Sequence, residues 1–147
     1  MSNGVQHGLM TQTLAAASVP VTAFLSRDLK ITLLVACGVM VGLVMEPDLD
    51  VVHRTKSEAR VASIHPILGL VWYWFWLPYA KAIPHRSWVS HLPIVGTGLR
   101  VLYLTWIPMV IYVSLGNDLS TLPIQDILWV CLGLAASDLA HWGMDVT

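Results

Sequence analysis

The sequence predicts an all-α membrane protein: about four transmembrane helices plus a short re-entrant or interfacial aromatic segment, in a single integral membrane domain over residues 1–147. Three observations predict it. Of 147 residues, 56% are apolar and 12% charged, against about one quarter charged in soluble domains. Mean hydropathy is +0.67. The apolar residues form four separate runs near the roughly 20 residues that cross a bilayer core of about 30 Å. A soluble helical bundle would have to bury all four in a chain too small to surround them.

The first run, residues 9–25 (LMTQTLAAASVPVTAFL), is the most dilute, carrying Thr, Ser, Gln and Pro20. The second, 30–47, ends in GVMVGLVMEP. Residues 66–80, PILGLVWYWFWLPYA, are nearly as apolar but short, broken at Pro78 and crowded with aromatics. That length favours a re-entrant or interfacial segment, with Trp72, Trp74, Trp76 and Tyr79 as headgroup-level anchors. The third run is LPIVGTGLRVLYLTWIPMVIYVSL, 92–115, and the fourth PIQDILWVCLGLAASDLAH, 123–141. Cys37 and Cys131 fall inside runs, where a small buried hydrophobe is expected. The opening MSNGVQHGLM lacks a basic n-region, so no cleavable signal peptide is expected.

If the aromatic run does not cross, the chain's polar clusters share one face. His7 precedes helix 1, Asp48 and Asp50 follow helix 2, His85 and His91 precede helix 3, and His141 and Asp145 close helix 4. Arg54, Lys56, Arg60, Lys81 and Arg86 lie on that face and only Arg27 and Lys30 on the other, which makes the motif face and the N-terminus cytoplasmic. With a net charge of −1 there is no footprint for nucleic acid.

Each cluster has its own chemistry. In EPDLD, Asp48 and Asp50 can turn toward one cation or mark the membrane boundary. In HRSWVSH, His85 and His91 converge only across an interrupted backbone, which the flanking Pro84 and Pro93 favour. Arg86 suits a phosphate or carboxylate clamp, and Ser87 or Ser90 a helix cap or a polar substrate group. Asp138, His141 and Asp145 form one helical stripe if Gly143 does not end the helix, and suit metal ligation or proton transfer. Arg100, about 12 Å into helix 3, can snorkel, pair with Asp138 or with Asp48 and Asp50, or reach an anionic substrate group. His53 and His65 are read as surface histidines.

The pieces GVQH (4–7), GLVMEPDLD (42–50), HRSWVSHLPIVGTGLRVLYL (85–104) and DLAHWGMD (138–145) resemble a family of metal-binding membrane proteins common in cyanobacteria. More distantly they resemble the YdjM-like bacterial inner-membrane metal-dependent hydrolases. The chain departs from the hydrolase branch at Gly8 and in the placing of His53. The resemblance implies a bacterial inner or thylakoid-type membrane and a divalent metal held by His7, Asp48, Asp50, His85, His91 and His141, with Asp145 nearby.

A mixed imidazole and carboxylate set suits Zn first, then Mn or Fe. The leading expectation is a metal-dependent hydrolase of a lipid-linked or phosphoester substrate, with membrane lipid as its surroundings. Arg86, Ser90 and Arg100 would bind substrate, and Asp138 and Asp145 would act as catalytic proton carriers. The alternative is a noncatalytic metal-stabilised scaffold, accessory subunit or assembly factor of a larger membrane complex. Ion transport is disfavoured because the polar groups gather at one face and not at the midplane.

Overall fold

Among the described residues all regular secondary structure is helical. The computed structural model describes residues 4–146 apart from 86, 88, 90 and 91, and of residues 4–7, 145 and 146 it describes the backbone alone. Six α-helices lie within that set: α1 (Gly4–Ser26), α2 (Leu29–Val41), α3 (Lys56–Ile64), α4 (Pro66–Ala82), α5 (Pro93–Ser114) and α6 (Ile124–Val146). Short 3-10 turns occupy Pro47–Asp50 and Leu119–Thr121.

Gly8–Ser26, Pro93–Ser114 and Ile124–Met144 are long and apolar enough to cross a membrane. They carry the first, third and fourth runs, and the protein is an integral membrane protein by this pattern. Its outward surface suits lipid, with Phe24, Leu115 and Ile94 at 79%, 75% and 81% exposure. Cys37 is exposed too, rather than buried.

α2 stops earlier than hydropathy predicts. It has 13 residues, about 20 Å of helix, because the chain turns at Gly42 and meets Pro47. The residue before a proline is forced extended, and Glu46 has φ −70° and ψ 156°. The aromatic run also differs from expectation: Pro78 lies inside a continuous 17-residue helix and does not break it. Loss of one backbone bond is offset there by packing, since Trp76, Tyr79 and Ala80 around it are buried. The opposite face, with Ile67, Leu70, Val71 and Trp74, is exposed.

α2 and α6 run parallel. Lys30 Nζ lies 2.8 Å from Asp126 Oδ2 near their starts, and Gly42 faces Ser137 near their far ends. Between these points the backbones touch: a Cβ on Gly38 would lie 2.0 Å from the Val130 carbonyl oxygen, and one on Gly133 would lie 2.1 Å from that of Val35. Small residues four apart on each helix, Gly38 with Gly42 and Gly133 with Ser137, permit this approach. Met45, Leu49, Trp76, Tyr79 and Leu134 then form the core that joins the elbow after α2 to α4 and α6.

The elbow is clamped by a polar clasp. Glu46 Oε1 accepts from the Ser57 backbone N–H at 2.7 Å, and Trp72 Nε1 donates to Ser57 Oγ at 2.8 Å. Ser57 Oγ donates to the Val44 carbonyl, while Arg60 donates to the Leu43 carbonyl and pairs with Glu46 Oε2 at 3.3 Å. Burial pushes the Glu46 carboxyl above its ordinary range, against the pull of Arg60. A carboxyl raised in the fold contributes its stability below its unfolded value of about 4.3 and loses it as pH rises through the folded value. Glu46→Gln keeps the acceptor for Ser57 and should flatten this part of the pH–stability curve. Glu46→Ala leaves a buried N–H unpaired and should cost about 1–3 kcal/mol. Thermal unfolding of the two variants in detergent across pH 4–8 checks both statements.

Candidate metal centre

The 3-10 turn after α2 determines the first half of the site. Pro47 at its start and its tight winding place Leu49 in the core, and Asp50 is sealed with it at 1% exposure. The second half comes from the chain leaving α4. Ile83 caps that helix in extended conformation, and His85 follows within two residues. There His85 Nδ1–H donates to Asp50 Oδ1 at 2.7 Å across 35 residues of sequence. The carboxylate is fully covered and the imidazole about half exposed. A cavity of about 380 Å³ opens beside the pair, lined also by His53 and Lys81. Asp48 is half-buried one residue before Leu49 and lies within electrostatic reach of Glu46.

A second polar cluster lies deeper, between α5 and α6. Arg100 is wholly buried and Asp138 is 2% exposed. Arg100 donates to Asp138 Oδ2, and so does the Thr97 hydroxyl, one turn earlier on α5. Of the partners open to Arg100 on sequence grounds, the fold selects Asp138. Ser137 and His141 are buried on the same face of α6 as Asp138. Gly143 does not end that helix, which runs on to Val146. Tyr79 connects the two clusters, since Asp50, Arg100 and Asp138 all lie within electrostatic reach of its hydroxyl.

The start of α1 reaches the same end of the bundle, where Gly8 stands 3.0 Å from the Arg60 guanidinium when a Cβ is built on it. The start of α1, the elbow, the end of α4, the start of α5 and the end of α6 therefore share one pole. The side chains of His7 and Asp145, and all of Arg86, Ser90 and His91, lie outside the described residues. Among the described residues no three of His, Cys, Asp and Glu converge as a metal-ligand group. Asp50 and His85 are of residue types that suit a divalent cation, and with Nδ1 taken by Asp50 the imidazole offers Nε2 as its donor.

Sequence gives Thr97 no role, and gives Tyr79 and Lys81 only those of an aromatic anchor and a charge on the motif face. Thr97 was detectable, because it lies three residues before Arg100 and so on the same helical face. Nothing local in the sequence separates Tyr79 from the aromatic anchors around it.

Over residues 2–147 the chain matches the family described as Uncharacterized metal-binding protein (DUF2227), and it belongs to that family. No curated protein and no solved structure matches it.

Proposed function

We propose, with membership of that metal-binding family as the premise, that the protein holds a divalent cation where the Pro47–Asp50 turn meets His85 and hydrolyses a phosphoester carried by a membrane lipid. The observation that supports this reading best is the Asp50–His85 hydrogen bond beside a cavity that also holds Lys81. Zn is the first candidate, ahead of Mn or Fe, because the donors mix imidazole with carboxylate. When bound, such a cation supplies an activated water and polarises a phosphoryl oxygen.

The chain's own groups have separate tasks. His85 would ligate through Nε2, with Nδ1 held by Asp50 in the manner of a carboxylate that orients a ligating histidine. Asp48 and His141 are the further ligand candidates described at this pole, and His7 and His91 are the further candidates from the sequence. Lys81, with Arg86 and Ser90, would hold the anionic group. Asp145 is assigned the proton-carrying role. Asp138 is occupied by Arg100 and Thr97, so this pair is assigned to positioning the start of α5. The basic residues at this pole, including Arg54, Lys56, Arg60 and Lys81, favour a cytoplasmic orientation.

Metal analysis of the detergent-purified protein tests the proposal. Stoichiometric metal is expected in the wild type and none in His85→Ala, and a folded wild type without metal would remove the reading. Asp50→Asn should weaken metal affinity about 10–100-fold, measured by chelator competition. A second reading, a noncatalytic metal-pinned scaffold, is favoured by the sealed Thr97–Arg100–Asp138 cluster, which spends two charges on joining helices. Release of inorganic phosphate from phosphatidic acid by the metal-loaded protein, abolished in His85→Ala, would decide for hydrolysis.

A further inference from the structure

Two cavities of opposite character meet at Ala82 and Ile83. The polar one, about 380 Å³, contains Asp50, His53, Lys81 and His85. The other, about 480 Å³, is an apolar groove between α4 and α5 walled by Pro78, Leu99, Leu102, Tyr103 and Trp106. Both volumes fall in the usual range for small-molecule sites, about 300–1,000 Å³. The two cavities share Ala82 and Ile83 as lining residues.

The groove lies along a membrane-spanning helix. Trp106 is far down α5 from Pro93, about 20 Å at 1.5 Å per residue, so the groove extends from the polar pole into the depth of the bilayer. Leu102 and Trp106 are 65% and 50% exposed along it, and in a membrane they would face hydrocarbon. A water-soluble phosphoester would leave this surface unused. A wholly apolar molecule would leave the Lys81 ammonium on the wall of the polar cavity without a counterpart. An amphiphile with an anionic head and a hydrocarbon tail complements both halves at once.

We propose that the protein binds a phosphate-bearing membrane lipid, with one acyl chain along the α4–α5 groove and the phosphate in the Asp50–His85 cavity, the glycerol region passing Ala82 and Ile83. The lipid enters sideways from the bilayer. Lys81 pairs with the phosphate, and the cation of the metal-centre reading, on which this assignment of substrate class rests, is its second positive partner.

The test uses the full chain in detergent, with native mass spectrometry against dioleoyl phosphatidic acid, dioleoylglycerol and glycerol 3-phosphate. Metal content is measured on the same samples. One phosphatidic acid per chain is expected, with dioleoylglycerol weaker by about tenfold or more, the loss expected when charged hydrogen bonds are removed. Glycerol 3-phosphate at equal concentration should not displace the lipid. Leu102→Trp fills the groove and Ala82→Trp blocks the junction, both at exposed positions. Each should lose phosphatidic acid while keeping metal, and Lys81→Glu should weaken it about tenfold. Equal binding of phosphatidic acid and dioleoylglycerol would mark ordinary annular lipid and overturn the proposal. Displacement by glycerol 3-phosphate, or wild-type binding by both tryptophan variants, would overturn it as well. Lipid binding intact in a wild type without metal would sustain the lipid site and remove only the metal reading.

Discussion

Asp138→Ala should destabilise the protein by about 3–5 kcal/mol, the cost of leaving one member of a buried ion pair alone. The reason lies in the burial. Arg100 is at 0% exposure and Asp138 at 2%, so neither water nor headgroups can take over the guanidinium once its carboxylate is gone. Removal also takes an acceptor from Thr97. Within a membrane-spanning helix an unpaired arginine is costlier than at a surface. Arg100→Leu should be comparably damaging through the orphaned carboxylate. The double variant Arg100→Leu, Asp138→Leu should recover much of the loss, because no uncompensated charge remains. By contrast, Lys30→Ala at the exposed Lys30–Asp126 pair, with side chains 66% and 31% accessible, should cost less than about 1 kcal/mol. Denaturant unfolding in detergent followed by circular dichroism ranks the four variants. A double variant no more stable than either single would refute the account.

Gly38→Leu should be the next most damaging change. Its Cβ alone would lie 2.0 Å from the Val130 carbonyl oxygen, and backbone cannot yield as a side-chain tip can. The α2–α6 contact would have to open, at a cost at or above the roughly 1–3 kcal/mol of ordinary overpacking. Gly133→Ala should behave similarly, because its Cβ would meet the Val35 carbonyl oxygen at 2.1 Å. Gly98 supplies the control. Nothing lies within 4 Å of a Cβ built there, so Gly98→Ala should be neutral or stabilise by up to about 1 kcal/mol through helix propensity. Thermal unfolding that finds Gly38→Ala as stable as Gly98→Ala would remove the close-packing argument.

Gly38 and Gly42 are visible as a small-residue pair in GVMVG, yet Gly98 looks equally inviting, and only the packed helices show that a neighbouring backbone meets Gly38 and not Gly98. The end of α2 is a similar case. Apolar residues continue to Met45 without a change in hydropathy, and the helix stops because Gly42 and Pro47 turn the chain and because Ser57 and Arg60, from a short, mostly polar helix, donate to the elbow and hold it. The aromatic run kept its helix through Pro78 for a comparable reason: core contacts around Trp76 and Tyr79 outweigh one missing backbone bond.

At the site, the residue types were legible and the pairings were not. Asp50 and His85 each stood out as donors, but 35 residues separate them, and their hydrogen bond depends on where α4 delivers the chain. Arg100 had several acidic partners open to it until α6 placed Asp138 against it. By itself the sequence determined that the protein is helical and membrane-embedded, since both follow from apolar content and run length, which are properties of neighbouring residues. Only the tertiary structure decided which polar groups meet and where an apolar groove adjoins the Asp50–His85 cavity, since short-range forces between side chains act through space, and proximity across distant segments arises only when the helices pack.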